Sequence, residues 1–130
     1  MPVASVGDTA RATLDVTATT VDRFASLTGD ENPLHTDEEY ANEGVFGERV
    51  AHGALTAGVV SAALARLDGD VVYLSQESTF ENPVSPGETL TATVEVIKHL
   101  GDDRLRVKTR AETDEPVLSG SAVVLSLAHE

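Results

Sequence analysis

The hydrophobic positions of this chain follow two regimes that meet near residue 70. From Thr9 to Val16 apolar residues alternate loosely at Ala10, Ala12, Leu14 and Val16, which predicts a first strand. Thr19-Thr20-Val21-Asp22 supplies hydroxyl caps and an early carboxylate for a helix start. Val21, Phe24, Ala25 and Leu27 then read as its apolar face, with Gly29 as a left-handed cap. Asp37 should cap a short acidic helix through Tyr40 and Ala41, closed by Gly44, and Val45 to His52 a loop that buries Phe46. Gly53 to Leu67 carries no charge before Arg66 and is apolar or small nearly all round, as in a helix buried on most faces.

Beyond that helix the period becomes two. Val71 to Leu74 reads as a short buried strand, which Gln76 to Phe80 continues or pairs with. Two prolines make Asn82 to Gly87 a turn, and Leu90, Ala92, Val94 and Val96 alternate as one strand. Gly101-Asp102-Asp103 predicts a hairpin into Leu105, Val107, Thr109 and Ala111, and Asp114-Glu115-Pro116 a turn into Val117 to Leu127. One long buried helix followed by antiparallel strands predicts a single α+β domain over residues 1–130, with a curved sheet wrapped around that helix. One sheet layer leaves strand edges uncovered, so a homodimer is expected.

Charge narrows the partners. The 22 acidic and 9 basic residues leave a formal net charge of −13, which argues against nucleic acid. Only Lys98 and Lys108 are lysines, a composition similar to proteins of salt-accumulating halophiles, where a Debye length of about 3 Å screens carboxylate repulsion. The absence of cysteine removes disulfides, thiolate metal sites and cysteine nucleophiles. No apolar run approaches membrane-spanning length, and Met1-Pro2-Val3-Ala4 opens no basic-then-apolar signal, so no membrane partner and a cytoplasmic location are expected.

The chemistry concentrates in Gly29-Asp30-Glu31-Asn32-Pro33-Leu34-His35 and in His52-Gly53. Pro33 lacks an N–H and pushes Asn32 out of the α region, so Asp30 and His35 are expected on one bent loop, able to act as an acid–base pair on a single water. Gly53 opens the long helix, where amides without internal partners could receive a developing oxyanion. Asn32 would buttress the loop, His52 reads as a structural loop residue, and Ser61, about two turns along the helix, could line a pocket. Asp30, His35, Asp37 and His52 match none of the recognised metal-ligand spacings, so no metal is expected. There is also no nucleophile elbow, Walker loop or dinucleotide glycine motif.

These elements, together with Ala51-His52-Gly53 and Phe80-Glu81-Asn82-Pro83-Val84 with Gly87, resemble the MaoC-like dehydratases, in particular the R-specific enoyl-CoA hydratases. The resemblance implies a homodimeric hot-dog fold and reversible syn addition of water to a trans-2-enoyl-CoA, giving a (3R)-3-hydroxyacyl-CoA. It places the catalytic pair on Asp30 and His35, the oxyanion amide on Gly53, and substrate-binding roles on Asn32 and Ser61. It implies no cofactor, since coenzyme A belongs to the acyl-CoA substrate. Glu31 stands where many relatives carry a shorter residue. The substrate's phosphates must meet an acidic protein, and some of Arg49, Arg66, Lys98, Arg104, Arg106, Lys108 and Arg110 could form a local basic rim. A dehydratase of another hydroxyacyl- or hydroxy-diacid-CoA and a non-catalytic acyl-CoA-binding subunit are the alternatives.

Overall fold

A computed structural model describes residues 2–129; Met1, part of the opening run read above, lies outside them. The elements run β1 (Thr9–Asp15), α1 (Ala18–Thr28), α2 (Pro33–Thr36), α3 (Glu38–Asn42), α4 (Gly53–Leu64), β2 (Asp70–Phe80), β3 (Thr89–Gly101), β4 (Arg104–Glu112) and β5 (Pro116–Leu127). The strands form one antiparallel sheet in the order β1-β3-β4-β5-β2, so both edges are strands from before or just after the helical segment. This is the α+β hot-dog architecture, with α4 lying across β1, β3 and β4.

Alternation decides which sheet face meets the helix. Leu90, Ala92, Val94 and Val96 of β3 are fully buried, as are Leu105, Val107, Thr109 and Ala111 of β4, while the residues between them are partly or fully exposed. They close on Val60, Ala63 and Leu64 of α4 to form the core, and each such leucine or valine contributes about 1.5–3 kcal/mol by leaving water. Asp102 and Asp103 at the β3–β4 hairpin have φ of 53° and 63°. Two successive left-handed residues match the right-handed twist of the flanking strands, and aspartate tolerates that region better than most side chains.

Four details depart from the pattern reading. The α1 cap is Thr17, whose Oγ1 accepts from the Thr20 amide at 3.0 Å, so the helix starts earlier than Thr19. Leu27 is 83% exposed, because six residues from Val21 amount to about 240° around a helix rather than a return to the same face. Phe46 is also exposed, on the loop before α4. The stretch from Val71 to Phe80 is one long edge strand rather than a short buried one: among the described residues it pairs only with β5, and Val72, Tyr73 and Leu74 are 42%, 39% and 47% exposed.

Candidate active site

The segment between α1 and α4 is built from short elements whose ends are held by side chains. Gly29 ends α1 at φ 82°, its N–H donating to the Ala25 carbonyl at 2.9 Å, and turns the chain toward Asp30. Pro33 begins a helical turn instead of extending a bent loop. Its missing N–H falls where a helix has no acceptor for it, and Asn32 Oδ1 caps the turn by accepting from the Leu34 amide at 3.2 Å. His35 therefore sits on one turn of helix, α2, which hands directly to α3 through the cap Asp37. Asp37 Oδ1 accepts from the Tyr40 amide at 3.1 Å.

His35 is held from two sides. Its Nδ1 is 2.7 Å from the Val50 carbonyl oxygen; since a carbonyl only accepts, Nδ1 carries the hydrogen and Nε2 presents a lone pair. Its own carbonyl accepts from Arg49 Nε at 2.6 Å, while the Arg49 guanidinium pairs with Asp22 of α1, also at 2.6 Å. One carboxylate oxygen of Asp30 and one ring nitrogen each of His35 and His52 lie within 4.8 Å of one another. Two hydrogen bonds of about 2.8 Å meeting at one water span such a separation. The same three side chains could be suspected of holding a metal ion. The His35 and His52 rings are stacked, with centroids 3.9 Å apart and planes inclined by 28°.

Beside His35 opens an apolar cleft of about 270 Å³, lined among others by Leu34, Phe46, Val50, Gly53, Thr56 and Phe80. Gly53, at the start of α4, is exposed to it, and its first-turn amide has no intrahelical acceptor. A Cβ on Gly53 would lie 3.0 Å from the Phe80 ring, so only glycine leaves both the amide and the aromatic wall in place.

The expected site residues thus divide. Asp30 and His35 come together, and Gly53 shares the cleft with His35. Asp30, Asn32 and Ser61 are not among the residues that line the cleft; Asn32 buttresses the segment as the α2 cap, and Ser61 lies beside the Tyr73 phenol. Eight residues from Gly53 leave Ser61 about 80° away around α4, whereas Thr56 turns about 60° the other way, to the cleft. Burial pushes the Tyr73 phenol above its usual 10.0, with the Ser61 hydrogen bond acting in the opposite direction. The sequence pattern marks His52 as a structural loop residue and Phe80 as a strand position. No local rule shows that His52 would be buried against His35, or that the end of β2 would reach Gly53.

Known proteins place the chain in a family. The MaoC like domain family matches residues 4–128. A 3-hydroxybutyryl-CoA dehydratase of Methylorubrum extorquens is 42% identical over 115 residues, 85% of this chain and 73% of the relative. An (R)-specific enoyl-CoA hydratase of Aeromonas caviae is 40% identical over 93 residues, covering 70% of this chain and 69% of that protein. Among solved structures, the unliganded R-hydratase of Pseudomonas aeruginosa superposes with a TM-score of 0.88 at 33% identity, covering 96% of this chain and 83% of the other. The (R)-hydratase of A. caviae involved in PHA biosynthesis gives 0.87 at 34%, covering 95% and 97%. With nearly its whole length matched and its site segment folded around the motif residues, the chain belongs to the MaoC-like family.

Proposed function

We propose that this protein is a hydro-lyase, an (R)-specific enoyl-CoA hydratase that adds water reversibly and syn to a trans-2-enoyl-CoA. The observation that carries the reading is the Asp30 carboxylate and His35 ring within one water's span, beside an apolar cleft that also exposes Gly53 at a helix start. Conjugation with the thioester makes the β carbon electrophilic, but neutral water attacks it slowly. Asp30 orients the water by accepting one hydrogen. His35, its Nδ1–H committed to Val50, takes the other at Nε2 as the C–O bond forms, then returns a proton to the α carbon on the same face. A positioned acid–base of this kind contributes about 10²–10⁴ in rate. Negative charge developing on the thioester oxygen is received by the Gly53 amide, a donor of a kind worth about 10²–10³. These steps use only protein groups and the thioester, so we propose a reaction without metal or redox cofactor.

The test is loss of the enoyl-thioester absorbance with crotonyl-CoA, followed by stereochemical analysis of the product. Asp30→Asn and His35→Ala should each lower kcat by about 10²–10⁴. Retention of activity within tenfold by either variant would refute the assignment. Running the assay from 3-hydroxybutyryl-CoA tests the dehydration direction, which the M. extorquens relative's name favours as a short-chain reading.

The same proposal extends to assembly and setting. The outer edge of β2 has no strand partner among the described residues and exposes Val72, Tyr73 and Leu74, which supports a homodimer joined there, with twice the 13.6 kDa chain mass in sedimentation. The −13 net charge supports a working environment of high salt, in which the melting temperature rises from low to molar KCl. Among the described residues no helix is long and apolar enough to cross a membrane, and we place the enzyme in the cytoplasm.

A further inference from the structure

His52 occupies the N-cap position of α4 but makes no side-chain cap there. It is only 2% exposed, and its ring is sent back 22 residues, where Nε2–H donates to the Asp30 backbone carbonyl at 2.9 Å. The opposite ring nitrogen, Nδ1, is buried without a hydrogen-bond partner. One ring face stacks on His35 at 3.9 Å, and Phe24 of α1 packs against the ring at 4.8 Å with planes tilted by 55°. An orphaned buried nitrogen costs stability, and an apolar ring of similar shape would avoid that cost. The geometry therefore needs a reason for an imidazole.

The other ties on Asp30 are local. Its N–H donates to Thr28 Oγ1 at 3.1 Å, and its Oδ1 accepts weakly from the Asn32 amide at 3.4 Å. The side chain is exposed, so its backbone would be free to drift relative to α4 by the tenths of an ångström that catalysis does not tolerate. The His52 bond is the long-range restraint on it. The same residue backs the ring of His35 and is covalently joined to Gly53.

We infer that His52 is a positioning residue for the proposed hydration: it locks the Asp30 backbone and the His35 ring plane in register with the Gly53 amide, without touching substrate. The inference rests on the hydratase reading, and two variants separate its parts. His52→Phe keeps the ring stack and removes the donor. His52→Gln keeps an N–H at a similar reach and removes the stack.

In a crotonyl-CoA assay, His52→Phe should lower kcat by about 10²-fold with KM changed less than about threefold, the cost of a misplaced catalytic group rather than of lost substrate binding. His52→Gln should recover to within about tenfold of the original kcat. Both should melt near the parent temperature, since Phe removes the orphaned nitrogen. Full activity in His52→Phe would overturn the inference, and so would a loss confined to KM. Should His52→Phe not fold, the ring-nitrogen spectrum of the parent decides in its place. Long-range ¹H–¹⁵N spectra of the histidine rings supply a readout independent of activity. A slowly exchanging Nε2–H on His52, present in the parent, reports the Asp30 bond even if the parent proves not to hydrate crotonyl-CoA, and its absence overturns the inference.

Discussion

The β3–β4–β5 sheet and the segment from Gly29 to Gly53 are held together by different means. In the sheet, each buried side chain shares its load with neighbours on α4 and adjacent strands, and a ladder of backbone bonds joins each pair on either side of its bulges. In the site segment few residues are buried, and position depends on single polar ties: Arg49 to the His35 carbonyl, Val50 to His35 Nδ1, Asp30 to His52. Burial is collective and tolerates local error, whereas one directed hydrogen bond fails at once. Stability should therefore reside in the first region and rate in the second.

The sharpest test of that division pairs two substitutions. Leu105, 1% exposed near the start of β4, the middle strand of the sheet, should cost about 2–5 kcal/mol as Leu105→Ala in denaturant unfolding, while the folded fraction keeps its turnover. Asp30→Asn should do the opposite, leaving the unfolding midpoint unchanged while crotonyl-CoA hydration falls by about 10²–10⁴. A large midpoint shift in Asp30→Asn would show that the site segment supports the fold after all.

Gly53→Ala probes the boundary between the regions. Alanine suits a helix better than glycine, so stability should hold or rise slightly, but the new Cβ meets the Phe80 ring at 3.0 Å and must displace that wall of the cleft. A fall in kcat/KM of about tenfold is expected from that displacement. Thr17→Ala removes the α1 cap, which does not line the cleft, and should cost about 1 kcal/mol in thermal unfolding with turnover unchanged.

The smallest effect concerns Tyr73. With its phenol raised above 10.0 by burial, the folded chain holds that proton more tightly than the unfolded one. Stability from this source is complete below the unfolded pKa and lost as pH rises through the folded value. Titration followed by phenolate absorbance should show one of the two tyrosines ionising late, and Tyr73→Phe should flatten the alkaline fall in stability.

Legibility followed the physics of each region. Alternation in Leu90 to Val96 and Leu105 to Ala111 named the sheet's inner face, and Gly29, Pro33 and Asp37 announced the punctuation of the site segment, because those signals depend on residues a few positions apart. Local rules misjudged Leu27, Phe46 and the exposure of β2, since sidedness and edge position depend on what packs elsewhere. Ser61 illustrates the same limit at the site: its place on α4 was readable, but its neighbour across the fold, Tyr73, was not.

By itself the sequence determined the element types apart from the short helix α2, the apolar inner face of the sheet and the presence of an aspartate and a histidine close together before a glycine-led helix. Only the tertiary structure decided that the His52 ring stacks on His35, that Phe80 closes on Gly53, and that β2 is left at an edge. Propensity and periodicity act over a turn or a strand pair. Contacts 15 to 30 residues apart arise only when the helix and the sheet have been packed on each other.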